Sequence, residues 1–312
     1  FRKSVFIPIL IMGTIIILKE SQDSEISLLR GVMTENWFDT KFIQIRDGLS
    51  LGWSDFLGVS DVKFLNPCTD VELRIMKLIK ATSFSTIKVD WSIDPFSIPE
   101  DHSYYKYMNP STDQIIKECL YLADDLICSN TEIEKRLSVF SKKEHYVLES
   151  DVRMHNYPGN IFLRAELSKN KVVLWRGNES YLANLTSYIP QINKVGEEFP
   201  DWDFVFIGDI DSRYMRLPNH IPKKPIIPYL STLREINPSI MISPMVMDEY
   251  TRTRNADMYW ESKIAGAVCL APDIPSWQDK PAVLYNNHNG FEESLRLLMT
   301  HSELREKLHN AV

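Results

Sequence analysis

Short apolar runs alternate with amphipathic helical patterns, and this alternation occurs twice along the chain. It is the feature that most restricts the fold. Strands separated by helices return in parallel, with the helices covering both sheet faces. In the first series, strands are expected at Phe42–Ile45, Asp61–Leu65, Thr86–Val89, Asp124–Ser129 and Tyr146–Leu148. Helices are expected at Ser24–Met33, at Asp70–Ile79 and at Thr112–Leu122. The second of these has an apolar face of Val71, Leu73, Ile75, Met76 and Ile79. Thr131-Glu-Ile-Glu134 matches a capping box and opens a further helix to Phe140. Residues 151–170 lack periodicity, contain Pro158-Gly159 and read as a linker.

The alternation then restarts. Strands are expected at Val172–Trp175, Phe204–Ile207, Ile240–Ser243 and Ala267–Ala271. Helices are expected at Leu182–Phe199 with a kink at Pro190, and at Ile227–Ile236, Ala256–Ala265, Phe291–Met299 and Ser302–Val312. The chain has 312 residues, enough for two ordinary domains, placed at 1–160 and 161–312. Each is expected to be a doubly wound α/β sheet.

A net charge of −7 argues against a surface that coats nucleic acid or membrane. Val5–Leu18 is apolar but too short to span a bilayer, and Pro8 and Gly13 interrupt it. A first buried strand is the preferred reading; a signal-peptide-like region is the alternative, although no small-residue cleavage site follows it cleanly, and no stable membrane insertion is expected. Cys68, Cys119, Cys128 and Cys269 are far apart and lack metal or redox spacing. Reduced thiols favour a cytoplasmic location. The sequons at Asn178 and Asn184 are then chance matches.

The stretch Tyr250–Trp277 holds the densest chemistry. Asn255 is placed to cap a helix and Gly266 to end it. Asp257 and Glu261 share one helical face, and Arg252 and Arg254 precede it. Arginines beside a helix N-terminus suit a phosphate, and a carboxylate one turn on suits a sugar diol. A solvated charged face fits the same spacing. Trp175-Arg176-Gly177 ends the first strand of the second domain, where open α/β sheets bind ligands. Gly177 admits a close backbone and Arg176 a phosphate; a surface arginine in a βα turn is the plainer reading.

Asp90 and Asp94 lie in the loop Val89–Pro99, at another strand end. A carboxylate there suits an acceptor hydroxyl; turn capping by aspartate explains the same residues. Asp209-Ile-Asp211 has the spacing of a metal-binding pair but no supporting ligand cluster. His102, His155, His220 and His288 show no metal spacing and read as surface or packing residues. No metal site is expected.

These segments resemble GT-B glycosyltransferases of the group 1, glycogen-synthase-like kind, including members from phages and bacterial surface-glycan systems. Tyr250, Arg252, Arg254, Asn255, Glu261 and Gly266 fall on that family's donor-site segment. Arg176 and Gly177 fall on its Trp-Arg-Gly loop, and Asp90 and Asp94 on its acidic first-domain loop. The family carries a second glutamate roughly two turns before the first, where Thr253 or Arg254 stands here.

The resemblance implies two Rossmann-like domains facing a cleft. It implies transfer of a sugar from a nucleotide-sugar to an acceptor hydroxyl, with retention and without a metal. Arg176, Arg254 and the helix end at Asn255 would meet the leaving diphosphate, with Gly177 and Arg252 beside them. Glu261 would hold the ribose, and Asp90 and Asp94 would serve the acceptor. The nucleotide-sugar is then a substrate, and no cofactor is expected. The acceptor stays open between glycan, protein and modified nucleic acid. A degenerate GT-B module with a structural or sugar-binding role, and a sugar-nucleotide epimerase on the same fold, are the alternatives.

Overall fold

A computed structural model describes residues 12–19, 40–45, 51–100, 102–141, 143–149, 164–208, 210 and 219–311. The helix expected at Ser24–Met33 and most of the expected linker lie outside these residues, as do His155, Asp209 and Asp211. Contacts divide the chain into two units. One is Phe1–Ser92 with Tyr107–Leu148; the other is Ile93–Lys106 with Glu149–Val312.

The first unit holds an all-parallel six-stranded sheet in the order β2-β1-β3-β4-β5-β6. Its strands are β1 (Met12–Leu18), β2 (Thr40–Gln44), β3 (Val59–Leu65), β4 (Thr86–Trp91), β5 (Asp125–Cys128) and β6 (Glu144–Val147). Ile15 to Leu18 are all buried, as a strand covered on both faces requires. Helix α1 (Asp70–Thr82) begins at the reciprocal cap of Thr69 and Glu72. Leu73, Ile75, Met76 and Ile79 are buried as expected, but Val71 is exposed and leaves the apolar face. Helix α2 spans Thr112–Leu122 and α3 spans Thr131–Leu137. The α3 cap is Asn130, whose side chain accepts from the Ile133 N–H, rather than Thr131. A 3-10 turn over Ser138–Phe140 continues it.

The second unit holds another all-parallel sheet, in the order β12-β11-β10-β7-β8-β9. Its strands are β7 (Val172–Gly177), β8 (Asp203–Gly208), β9 (Asn219–Ile221), β10 (Ile240–Ile242), β11 (Val268–Pro272) and β12 (Ala282–Tyr285). Its helices are α4 (Glu179–Glu198), α5 (Ile226–Ile236), α6 (Asp257–Ala265), α7 (His288–Thr300) and α8 (Ser302–Asn310). Helix α4 runs through Pro190 as one element and buries Leu185, Tyr188, Ile189, Ile192 and Val195. These pack with Val173, Trp175, Phe204, Phe291 and Leu295 in one core cluster.

The chain lays β8 on one side of β7 and β10 on the other. The strand order therefore reverses at β7, and the carboxyl ends of β7 and β10 flank the switch point where ligands bind in such sheets. Gly266 is what returns α6 into β11. It sits at φ +73°, and a Cβ there would stand 2.0 Å from the Glu166 carbonyl oxygen. Only glycine fits that left-handed, crowded position.

Candidate active site

At the end of β7, Gly177 is demanded by packing. A Cβ on it would lie 2.4 Å from the Trp175 ring. Its partner across the sheet, Gly208, has φ +121°, and a Cβ there would fall 1.7 Å from the Gly177 carbonyl oxygen. The two strand ends thus approach as bare backbone.

Arg176 turns from this edge to Glu261 on α6. Its Nε donates to Glu261 Oε2 at 2.8 Å, and its Nη2 donates to Oε1. Tyr229 on α5 donates its hydroxyl to the same Oε2 at 2.7 Å. The guanidinium carbon lies 5.9 Å from the Tyr229 ring centroid. The Glu261 side chain is 2% exposed and the Arg176 side chain 13%. A solvated charged face is therefore excluded: Met258, Tyr259 and Glu261 through Ala265 are all buried. The carboxylate that the resemblance assigns to a ribose is engaged by Arg176 and Tyr229. Tyr229 had no local signal, because its role depends on a contact 32 residues away.

The loop between β10 and α6 presents the second arginine. Thr251–Thr253 forms a 3-10 turn, closed by Thr253 Oγ1 donating to the Tyr250 carbonyl and by Asp248 Oδ1 accepting from the Thr251 N–H. That turn displaces the helix start. The cap is Ala256 with no side-chain bond, so Asn255 does not cap α6. Arg254 Nη1 donates to the Tyr250 hydroxyl at 2.8 Å, and its guanidinium carbon stands 4.6 Å from the Tyr181 ring centroid. Arg252 is exposed. Tyr250 also meets His102 Nε2 at 2.7 Å. Burial and the charge of Arg254 push the His102 pKa down to about 3, so its ring is neutral. His102, expected at the surface or in packing, is buried.

The two acids of the first-domain loop fall in different units. Asp90 is wholly buried in the first unit, where Lys63 Nζ lies 3.3 Å from its Oδ2. Asp94 is buried in the second unit. Its carboxylate accepts from the Phe96 N–H at 3.2 Å and from the Ser97 hydroxyl, the capping role expected of an aspartate before Pro95. Among the described residues no group of three or more His, Cys, Asp or Glu is placed to hold a metal. All four cysteines are free and buried, and burial raises the thiol pKa of Cys68 to about 11 and of Cys269 to about 12. No described helix is long and apolar enough to cross a membrane.

No protein-family profile matches the chain, and no curated protein matches it in sequence. Solved structures do match. A trehalose-6-phosphate synthase studied with bisubstrate glycomimetics superposes with a TM-score of 0.60 at 9% identity, covering 96% of this chain and 93% of that one. The chain has the GT-B fold. Further GT-B matches include an enzyme described as a UDP-N-acetylglucosamine 2-epimerase, from Listeria monocytogenes, with a TM-score of 0.58 at 9% identity over 96% of this chain and 91% of that one. OtsA in its apo form gives 0.53 at 12% identity, over 80% of this chain and 67% of its own. At such identities the likeness shows the GT-B fold, and the chemistry has to come from the residues.

Proposed function

We propose that this chain is a glycosyltransferase that takes a nucleotide-sugar donor at the β7/β10 switch point. One observation carries the reading. Two arginines from separate segments, Arg176 and Arg254, stand at the ligand-binding edge of one sheet, each fixed by named partners. Fixed cations stabilise charge that develops on a leaving diphosphate without reorganising during the reaction. In this reading they do so without a metal, and Glu261 orients Arg176 and serves the ribose. Arg252, Asn255 and Gly177 line the approach. The donor is a substrate; the acceptor is a hydroxyl compound on a glycan, protein or modified nucleic acid, with Asp90 and Asp94 the carboxylates assigned to it. Retention of configuration and a cytoplasmic setting complete the proposal. The match to a trehalose-6-phosphate synthase over 96% of this chain supports it.

A second reading, sugar-nucleotide epimerisation, is favoured by the similarly broad match to an epimerase. Thermal shift against UDP-, GDP-, ADP- and CMP-sugars tests both. A ligand at a hundred times its Kd raises stability by about 2.7 kcal/mol. The proposal expects a shift with one nucleotide class, lost in Arg176→Ala and Arg254→Ala. Product analysis of that donor then separates transfer or hydrolysis from an isomerised sugar nucleotide. A folded protein that shifts with none of the donors overturns both readings and leaves a structural module.

A further inference from the structure

We propose that His102 is a positioning residue for Arg254, acting through the Tyr250 hydroxyl, so that the segment 93–106 completes the diphosphate end of the donor site. The inference rests on reading Arg254 as a donor-binding group. The Tyr104 N–H donates to His102 Nδ1 at 3.1 Å. That leaves the ring proton on Nε2, which donates to Tyr250 Oη at 2.7 Å. The same oxygen accepts from Arg254 Nη1 at 2.8 Å. One hydroxyl therefore joins a neutral imidazole to a guanidinium.

The surroundings fix each member. The His102 and Tyr250 rings meet edge-on, with centroids 5.2 Å apart. The Arg254 guanidinium carbon lies 4.6 Å from the Tyr181 ring centroid and 5.4 Å from that of Tyr250. Ser276 Oγ donates to the Arg254 carbonyl at 2.6 Å. The segment carrying His102 is itself seated, because the Ser103 N–H donates to Ser180 Oγ at 3.1 Å and the two hydroxyls meet at 2.9 Å. Every one of these residues belongs to the second unit.

Packing alone does not call for this chemistry. A phenylalanine with an apolar neighbour would fill the same space without burying an imidazole beside a cation. What the polar chain adds is a single orientation for a side chain that is otherwise rich in rotamers, which lowers the ordering cost when an anion binds. Burial, and after it the positive charge of Arg254, keeps the histidine neutral, so the Nε2–H donor persists across the neutral pH range.

The experiment uses the full chain with three variants, His102→Ala, His102→Gln and Tyr250→Phe. The side-chain nitrogen signals of Arg254 are followed by NMR without ligand and assigned by their loss in Arg254→Lys. Binding of UDP, GDP and ADP is measured in parallel by calorimetry. Wild type is expected to give separate, slowly exchanging guanidinium signals. These should average in His102→Ala and Tyr250→Phe, and affinity for the preferred nucleotide should fall on the order of ten-fold, about 1.4 kcal/mol. His102→Gln, which keeps a donor, should retain most of both. Unchanged Arg254 signals in folded His102→Ala overturn the proposal, as does averaging with unchanged affinity. Averaged signals in a protein whose wild type binds none of the three nucleotides uphold the positioning and overturn the donor-site reading instead.

Discussion

Glu261 receives Arg176 through both carboxylate oxygens, although the two residues are 85 positions apart in sequence. The parallel arrangement suits a planar guanidinium and not a lysine ammonium. Glu261→Gln removes the charge while keeping the volume, and leaves a largely buried cation opposed by a neutral amide. A loss of about 3 kcal/mol is expected, read by urea denaturation, with Arg176→Lys falling short of rescue. Tyr229→Phe should cost about 1.5 kcal/mol, since the lost hydrogen bond goes to a charged group. In the double variant Tyr229→Phe/Glu261→Gln the two losses should add to less than their sum.

Lys63 and Asp90 form an ion pair with almost no exposure in the first unit. Removing one partner strands the other. Asp90→Ala is expected to destabilise by about 3–5 kcal/mol, whereas Lys63→Met combined with Asp90→Leu should recover most of that. Chemical denaturation of the three proteins decides the matter. If the double variant is as stable as wild type and keeps sugar transfer to an acceptor hydroxyl, Asp90 has no part in the reaction.

His102 links stability to pH. Its folded pKa, near 3, lies below the ordinary value of 6.5, so the unfolded chain takes up the proton first. The stabilising neutral state is complete above about pH 6.5 and is lost as pH falls toward 3. The difference in stability between wild type and His102→Gln should shift against wild type by about 1.4 kcal/mol per pH unit within that window. Equal slopes for the two proteins would mean that His102 is protonated in the fold.

Lys263 closes the far end of α8. Its ammonium donates to the Leu308, His309 and Ala311 carbonyls at 3.4, 3.0 and 3.4 Å. Lys263→Met should remove these bonds, leaving the His309 carbonyl to Arg164 alone, and speed amide hydrogen exchange at the C-terminal turn of α8, with α4 unaffected. An unchanged exchange pattern would show that the helix end holds without the lysine.

Much of the architecture is legible in the residue pattern because parallel sheets need continuous apolar runs. Ile240–Ile242 and Val268–Pro272 are buried at every position and stand out on hydrophobicity alone. The strand Asn219–Ile221 does not, since it is a short polar edge. Ala282–Tyr285 does not stand out either; three of its four residues are half-buried, which blurs the apolar run. At the site, the residue types at Arg176, Arg254 and Glu261 mark a place for charge, but their partners come from distant segments and leave no spacing to read. Asn255 misleads for a local reason: the hydroxyls of Thr251 and Thr253 bond back to the Val246 and Tyr250 carbonyls, and the chain forms a separate turn before the helix begins. The acids at Asp90 and Asp94 show the opposite problem. Each fits a catalytic motif; Asp94 takes the local capping partners that turn chemistry predicts, whereas Asp90 meets Lys63 from a neighbouring strand, which leaves no spacing to read.

Residues 93–106 belong to the second unit although the chain runs through the first on either side of them. Inheritance of the two halves is therefore not independent. A recombination event, or a laboratory chimaera, that exchanged everything after residue 148 as one block would import Tyr250 without its histidine. A graft that preserves the pairing has to carry two separate stretches of sequence, and parts taken from different ancestors would be matched first at His102 and Tyr250.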